Sequence, residues 1–130
     1  MFENANTWTR QGDIGEARAI YEYTKMGYTV ARTIFDSAKY DLIVDKGGEL
    51  TKVQVKTTQR KNPQGNPEVG LRTTGHNRSG YTCMSPKDGD YDELFIFSDD
   101  GRCWVIPYGD ISHLVNSITL AKKYDKYILP

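Results

Sequence analysis

The sequence predicts an α/β fold, a mixed central β-sheet with one helix before it and little helix after it. Three observations carry that expectation. Residues 13–26 repeat at helical spacing, residues 40–57 read as a hairpin, and residues 91–108 read as a second hairpin of aromatic and aliphatic strands. Between the hairpins lies a polar stretch, residues 58–84, too long for a simple turn.

The chain opens with a polar segment as far as Gly12. Asp13 is then a candidate N-cap; Ile14, Ala17, Ile20, Tyr21 and Thr24 recur at helical spacing, and Gly27 stands where a C′ glycine closes a helix. Glu16, three residues after Asp13, has the position of a capping-box partner that reaches back to the N-cap amide. Residues 28–35 (YTVARTIF) alternate as a strand, and residues 36–39 turn the chain, where Asp36 is a second candidate carboxylate whose plain alternative is ordinary Asx-turn chemistry.

The hairpin YDLIVDKGGELTKVQVKT organises the rest. Residues 40–45 and 52–57 are rich in β-branched and aromatic side chains, and the glycines of KGGE tolerate positive φ. Strand alternation sends Val53 and Val55 toward a core and Gln54 and Lys56 to the other face. On the first strand Leu42 and Val44 point one way and Asp41 the other, so a suitable register brings Asp41 beside Gln54 and Lys56. An acid early in an apolar strand needs a partner or a wet face. Carboxylate and amide oxygens are hard ligands for Mg²⁺, and an adjacent lysine stabilises charge on a phosphate or positions a water. The plain alternative is a solvated hairpin face carrying Lys, Thr and Gln.

Overall charge excludes little, because 17 Lys and Arg balance 17 Asp and Glu in 130 residues. Its distribution says more: from Lys52 to Arg78 six cations face one acid, Glu68. The segment 58–84 mixes Arg60, Lys61, Arg72 and Arg78 with Asn62, Gln64, Asn66, Asn77 and Tyr81, side chains suited to phosphates and base edges. One arm of a β-ribbon is expected at residues 69–74, ending at Thr74. His76 in this basic loop reads as a phosphate contact or a solvent-exposed residue. A mobile solvated loop is the alternative for the whole segment.

In the second hairpin, residues 91–97 and 103–108 flank the turn SDDGR, and Phe95, Phe97, Trp104 and Ile106 read as core. A short helix with Asp110 as cap is expected near residues 110–115. The aromatic, basic tail then closes the sheet or meets a second subunit. Cys83 and Cys103 have neither metal-ligand spacing nor a disulfide framework. With no signal-peptide pattern and no apolar run of about twenty residues, the expectation is one soluble domain, residues 1–130, in the cytoplasm and away from membranes.

Asp41 followed by Gln54-Val55-Lys56 on the next strand resembles the active-site hairpin of the PD-(D/E)XK nucleases, with glutamine where that family usually has Asp or Glu. Many members also place a glutamate on the first helix, facing the metal, which is where Glu16 falls. More narrowly, GEARAIYEYTKMGYTV, IFDSAKYDLIVD, VQVKTT, the WVIP strand and the closing ITL and KYDKYIL are similar to small homing endonucleases carried with group I introns in cyanobacteria and their phages, a subgroup that also has the glutamine. The resemblance covers most of the chain and implies a restriction-endonuclease-like core. It further implies Mg²⁺-dependent hydrolysis, with Mn²⁺ as a substitute, of both strands of a long double-stranded DNA site by a homo-oligomer, dimer or tetramer, inside a bacterial or phage-infected cell.

By that resemblance Asp41, Gln54, the Val55 carbonyl and Glu16 serve the metal, and Lys56 faces the scissile phosphate. DNA contacts fall to Arg60, Lys61, Gln64, Asn66, Arg72, Thr74, His76, Asn77 and Arg78. A structure-specific resolvase cutting four-way junctions and a non-catalytic DNA-binding module share the fold and remain open.

Overall fold

A computed structural model describes the chain apart from Asp36, Arg78, Ser79 and the side chains of residues 73–83. Helix α1 (Trp8–Lys25) leads into β1 (Thr29–Arg32), β2 (Leu42–Lys46) and β3 (Glu49–Thr58). There follow β4 (Glu68–Gly70), β5 (Thr73–Asn77), β6 (Gly80–Met84), β7 (Glu93–Ser98), β8 (Cys103–Pro107) and β9 (Ser117–Thr119). Short 3₁₀ turns occupy Tyr108–Asp110 and Lys122–Tyr127. The central sheet has the order β1-β2-β3-β7-β8, with β3 and β7 parallel and the other neighbours antiparallel. It is mixed, as the sequence predicts.

Two layers cover this sheet. On one face α1 and the N-terminal Phe2 pack on Leu42, Val44, Val53, Phe95 and Phe97. On the other, the C-terminal half packs Ile111, Ile118, Leu120 and Tyr124, with Val69 and Leu71, on Leu94, Ile96, Trp104 and Ile106. Alternation along β3 and β7 supplies both faces at once, because both strands lie in the interior of the sheet. The tail closes the outer edge, where Leu129 donates its N–H to the Cys103 carbonyl at 2.9 Å.

The β2–β3 hairpin turns on two residues, Gly47 at φ 67° and Gly48 at φ 100°. Positive φ at both positions matches the strand twist and is nearly free only for glycine. Asp45 Oδ1 accepts the Gly48 N–H at 2.7 Å and locks the turn. The resulting register sets Leu42 opposite Val53 and Lys46 opposite Glu49.

Helix α1 departs from the sequence reading at its start. It begins at Trp8, capped by Thr7, whose hydroxyl accepts the Arg10 N–H at 3.1 Å. Asp13 lies inside the helix, so neither the Asp13 cap nor its capping box with Glu16 forms. The face that packs is Gly15, Ala19, Glu22 and Tyr23, while Tyr21 and Thr24 are exposed. Small residues win that face because they let the helix approach β3 closely. Buried Glu22 is held by Lys25 at 3.2 Å and by Arg18 at 3.5 Å. Tyr23 donates to Glu93, which also binds Lys46 at 2.7 Å, so one polar network ties α1 to β2 and β7.

Gly15 marks the closest approach: a Cβ placed there would lie 2.1 Å from Thr57 Oγ1 and 3.2 Å from Thr57 Cβ. In an open helix Gly→Ala stabilises by about 1 kcal/mol. Here overpacking reverses the sign, and Gly15→Ala should lower stability by about 1–3 kcal/mol. Thermal melts check this, and Gly15→Ala with Thr57→Ala should recover part of the loss. A more stable single variant would show that α1 yields without cost.

Elsewhere β1 stops at Arg32 rather than residue 35, leaving Ile34 88% and Phe35 76% exposed. The expected ribbon exists, but its arms are β5 and β6, with Thr73 opposite Met84. Residues 69–71, expected in one arm, belong instead to β4 and the core, where β4 pairs with β9. Val69 and Leu71 are the few aliphatic residues of that segment, and burying them anchors it. The expected helix at 110–115 is absent, and Asp110 ends a 3₁₀ turn and accepts the Tyr127 hydroxyl. Among the described residues no helix is long and apolar enough to cross a membrane.

Candidate active site

The site is built where β2 ends and β3 continues. Val53 is the last residue of β3 with a partner in β2, yet β3 runs on to Thr58. Asp41 takes over the vacated edge. Its N–H donates to the Val53 carbonyl at 2.8 Å, its carbonyl accepts the Thr33 N–H at 3.1 Å, and its carboxylate Oδ2 accepts the Val55 N–H at 2.8 Å. Because a strand's N–H groups lie in the sheet, that last bond holds the carboxylate in the sheet plane, where β2 would have continued. The Val55 carbonyl leaves β3 by the same edge as its N–H.

The regular register ends with Leu42 opposite Val53; Asp41 also turns its N–H to the Val53 carbonyl, so two residues of this strand stand against one of β3, as in a bulge, and the Asp41 side chain is re-aimed along the edge to Val55. The structure brings Asp41 to Val55 by a hydrogen bond and to Lys56 by charge, with Gln54 next to Val55 on β3. Gln54 is 9% exposed, beside Leu94 of β7. Lys56 is half-buried, and loss of water lowers its pKa, against which the Asp41 carboxylate acts in the opposite direction. In the metal-free protein Lys56 should lose its proton below the usual lysine range, and in Asp41→Asn lower still. NMR titration of the lysine side-chain carbons measures both. An unchanged Lys56 in the variant would show that the two groups share no field.

Glu16 sits on the α1 side of this edge. It pairs with Arg32 of β1, Oε1 to Nε at 3.0 Å, beside a cavity of about 180 Å³ that Asp13 also lines. Among the described residues no three His, Cys, Asp or Glu side chains form a group able to hold a metal. What the edge offers is a carboxylate, an amide oxygen and a carbonyl. These hard donors fit Mg²⁺ or Mn²⁺, and Mg²⁺ commonly takes one or two carboxylates and completes its shell with water and substrate phosphate. At Cys103 thiol chemistry is remote, since burial pushes the thiol up to about 11.

Of the expected DNA contacts, Arg60 is 72% exposed and pairs with Glu68 at 3.3 Å, and Lys61 lies 4.0 Å from Asp100. The charge excess of this stretch is thus partly neutralised by folding. Gln64 and Asn66 occupy a turn built by Asn62, whose Oδ1 accepts both their N–H groups, at 3.1 and 2.8 Å. Arg72 is exposed where the chain enters β5. Thr74, His76 and Asn77 lie on β5 with side chains outside the described set, and Arg78 and Asp36 lie outside the described residues.

The sequence reading missed Trp8, Gln11 and Gly12, which line a cleft of about 300 Å³ against Val55, Lys56 and Thr57. They were hidden by placing the helix start at Asp13. Thr7, a good N-cap followed by residues without a strong breaker before Gly12, is the signal that finds them. It also missed Arg32, which no local pattern joins to Glu16.

A mixed sheet with this edge, and a helix carrying Glu16 against it, places the chain in a known class: it belongs to the PD-(D/E)XK endonucleases, whose family pattern it matches over residues 6–127. It is a nuclease of that fold, and such enzymes generally use divalent metal ions. Two similar proteins are more particular. The chain is 37% identical to Protein 5.3 of Escherichia phage T7 over 89 residues, 68% of this chain and 71% of that protein. The solved structure of a bacterial homing endonuclease, I-Ssp6803I, matches with a TM-score of 0.78 at 28% identity, covering 96% of this chain and 85% of that one.

Proposed function

We propose that this endonuclease cuts double-stranded DNA at a specific, long site in a Mg²⁺-dependent reaction, as a homing-type enzyme acting in a bacterial or phage-infected cell. The observation that carries the reading is the Asp41 carboxylate clamped to Val55 N–H at 2.8 Å, beside Gln54 and Lys56, at the open edge of β3. The likeness to a homing endonuclease supports the site-specific class.

In this reading Asp41, the Gln54 side-chain oxygen and the Val55 carbonyl hold the divalent ion, which when bound activates water and offsets phosphate charge. Lys56 sets its ammonium against a non-bridging oxygen of the scissile phosphate, where negative charge grows as the attacking oxygen enters in line with the departing 3′ oxygen. Glu16, oriented by Arg32, holds the attacking water from the helix side. A 5′ phosphate and a 3′ hydroxyl result. Glutamine in place of a carboxylate leaves the site one negative charge short, so these residues alone would hold a divalent ion weakly.

The β5–β6 ribbon, with Arg72 at its base, enters the major groove, which admits a two-stranded ribbon. Arg60, Lys61, Gln64, Asn66, Thr74, His76, Asn77 and Arg78 contact DNA. A symmetric homo-oligomer makes the target an inverted repeat, because protein two-fold symmetry is matched in the DNA.

Incubation of bacterial and phage genomic DNA with the protein in Mg²⁺ and in EDTA tests this. Discrete fragments with 5′ phosphates are expected in Mg²⁺ only. Uncut DNA that is nevertheless retarded on a gel in both would sink the catalytic reading and favour the binding module, which the missing charge at Gln54 would then explain.

A further inference from the structure

The chain has two tryptophans, with opposite surroundings. Trp104 is 0% exposed, whereas Trp8, the first residue of α1, is 92% exposed. A lone exposed apolar side chain needs no explanation in itself. Its position does.

Trp8 lines the cleft of about 300 Å³ at Val55, Lys56 and Thr57, and also a second cleft of about 130 Å³ at Thr58, Gln59 and Arg60. Both share Trp8, Gln11 and Thr57, so the indole stands where they join. From Lys56 to Arg60 the chain reaches at most about 14 Å, or about four base steps at 3.4 Å each. The surroundings of the ring are two amides, two hydroxyls and two cations, with Gly12 and Val55, and no carboxylate is among the lining residues. An apolar protein partner on Trp8 would have to desolvate Lys56 further, at a cost no pairing offsets. A DNA backbone presents what the cleft asks for: phosphates at regular intervals for the cations, and the apolar faces of the sugars between them for a ring.

We infer that Trp8 is a DNA-contacting residue of this endonuclease, its indole packed against the deoxyribose next to the phosphate that Lys56 faces. The inference rests on the nuclease reading above. Thr7 holds the helix start, and Gly15 seats α1 on Thr57, so the indole is carried on a rigid element rather than a loop. The contact is to the sugar, which every nucleotide has, so it adds affinity and alignment at any sequence.

Acrylamide quenching of tryptophan emission reports on Trp8 alone, because Trp104 is fully buried. Random-sequence duplex DNA at low salt in EDTA binds through its phosphates without being cut. It should shield Trp8 from the quencher, while the anisotropy of labelled DNA follows binding independently. Trp8→Ala should weaken that binding roughly tenfold with an unchanged circular dichroism spectrum, and Trp8→Phe should restore most of it. Binding seen by anisotropy, with Trp8 still fully quenchable and Trp8→Ala binding like wild type, overturns the inference and leaves the nuclease reading standing. No binding at all overturns both. Shielding that grows with protein concentration in the absence of DNA assigns Trp8 to a contact between copies and overturns the inference.

Discussion

Lys56→Met abolishes cleavage, with a loss of at least about 10²- to 10³-fold, the scale seen when a preorganised group facing transition-state charge is removed. Methionine keeps the unbranched stem and its packing, so the change isolates the ammonium. DNA binding survives, because a single phosphate contact among many contributes little to affinity. Stability moves the other way. Burial holds the pKa of Lys56 below its unfolded value, only partly opposed by Asp41. Between the folded and unfolded pKa values the unfolded chain binds more protons, so stability rises with pH in that window, and below it the desolvated charge is a standing cost. Replacing the ammonium by a thioether removes that cost, and the Tm of Lys56→Met should equal or exceed that of wild type. Quantitative cleavage of a mapped site, gel retardation and a thermal melt give the three readings. Cutting at the wild-type rate would remove Lys56 from the reaction.

Asp41→Asn should be equally inactive for a different reason. The asparagine oxygen can still accept the Val55 N–H that the carboxylate accepts at 2.8 Å, so the end of the β2–β3 ladder keeps its shape. Exchanging a charged for a neutral acceptor costs about 1 kcal/mol. What is lost is the charge: with Gln54 already neutral, the edge then offers no carboxylate of its own, and a divalent ion has only neutral oxygens there. Cleavage should fall by at least about 10²-fold, with partial recovery at high Mn²⁺ concentration. A melting temperature within a few degrees of wild type, together with lost cleavage, separates this from misfolding. Full activity of the variant would move the metal site elsewhere.

Both predictions depend on a stretch whose local reading survives almost intact in the structure. The two-glycine turn, the burial of Leu42, Val44 and Val53, and the alternation of Val53 and Val55 with Gln54 and Lys56 all follow from a period of two and a tight turn, whereas Asp41 lies beyond the last regular pair. The second hairpin, β7 and β8, is equally legible, because aromatic and aliphatic runs on either side of SDDGR leave little else to form. The start of α1 was less legible. Its N-terminal turns carry Trp8, Gln11 and Gly12, which face the cleft and not the core, so apolar periodicity gives no sign of helix there.

The hairpin and the alternation of its second strand are legible in the sequence alone, since each rests on neighbours a few residues apart. Where β2 stops, and with it the placing of the Asp41 carboxylate against the Val55 N–H, is set by tertiary contacts. The tertiary structure alone paired Glu16 with Arg32, set β3 parallel to β7, drew Val69 and Leu71 into the core, and seated α1 on Thr57 through Gly15. Those outcomes turn on contacts between residues far apart in the chain, whose energies depend on shape and burial after folding, and no local period encodes them.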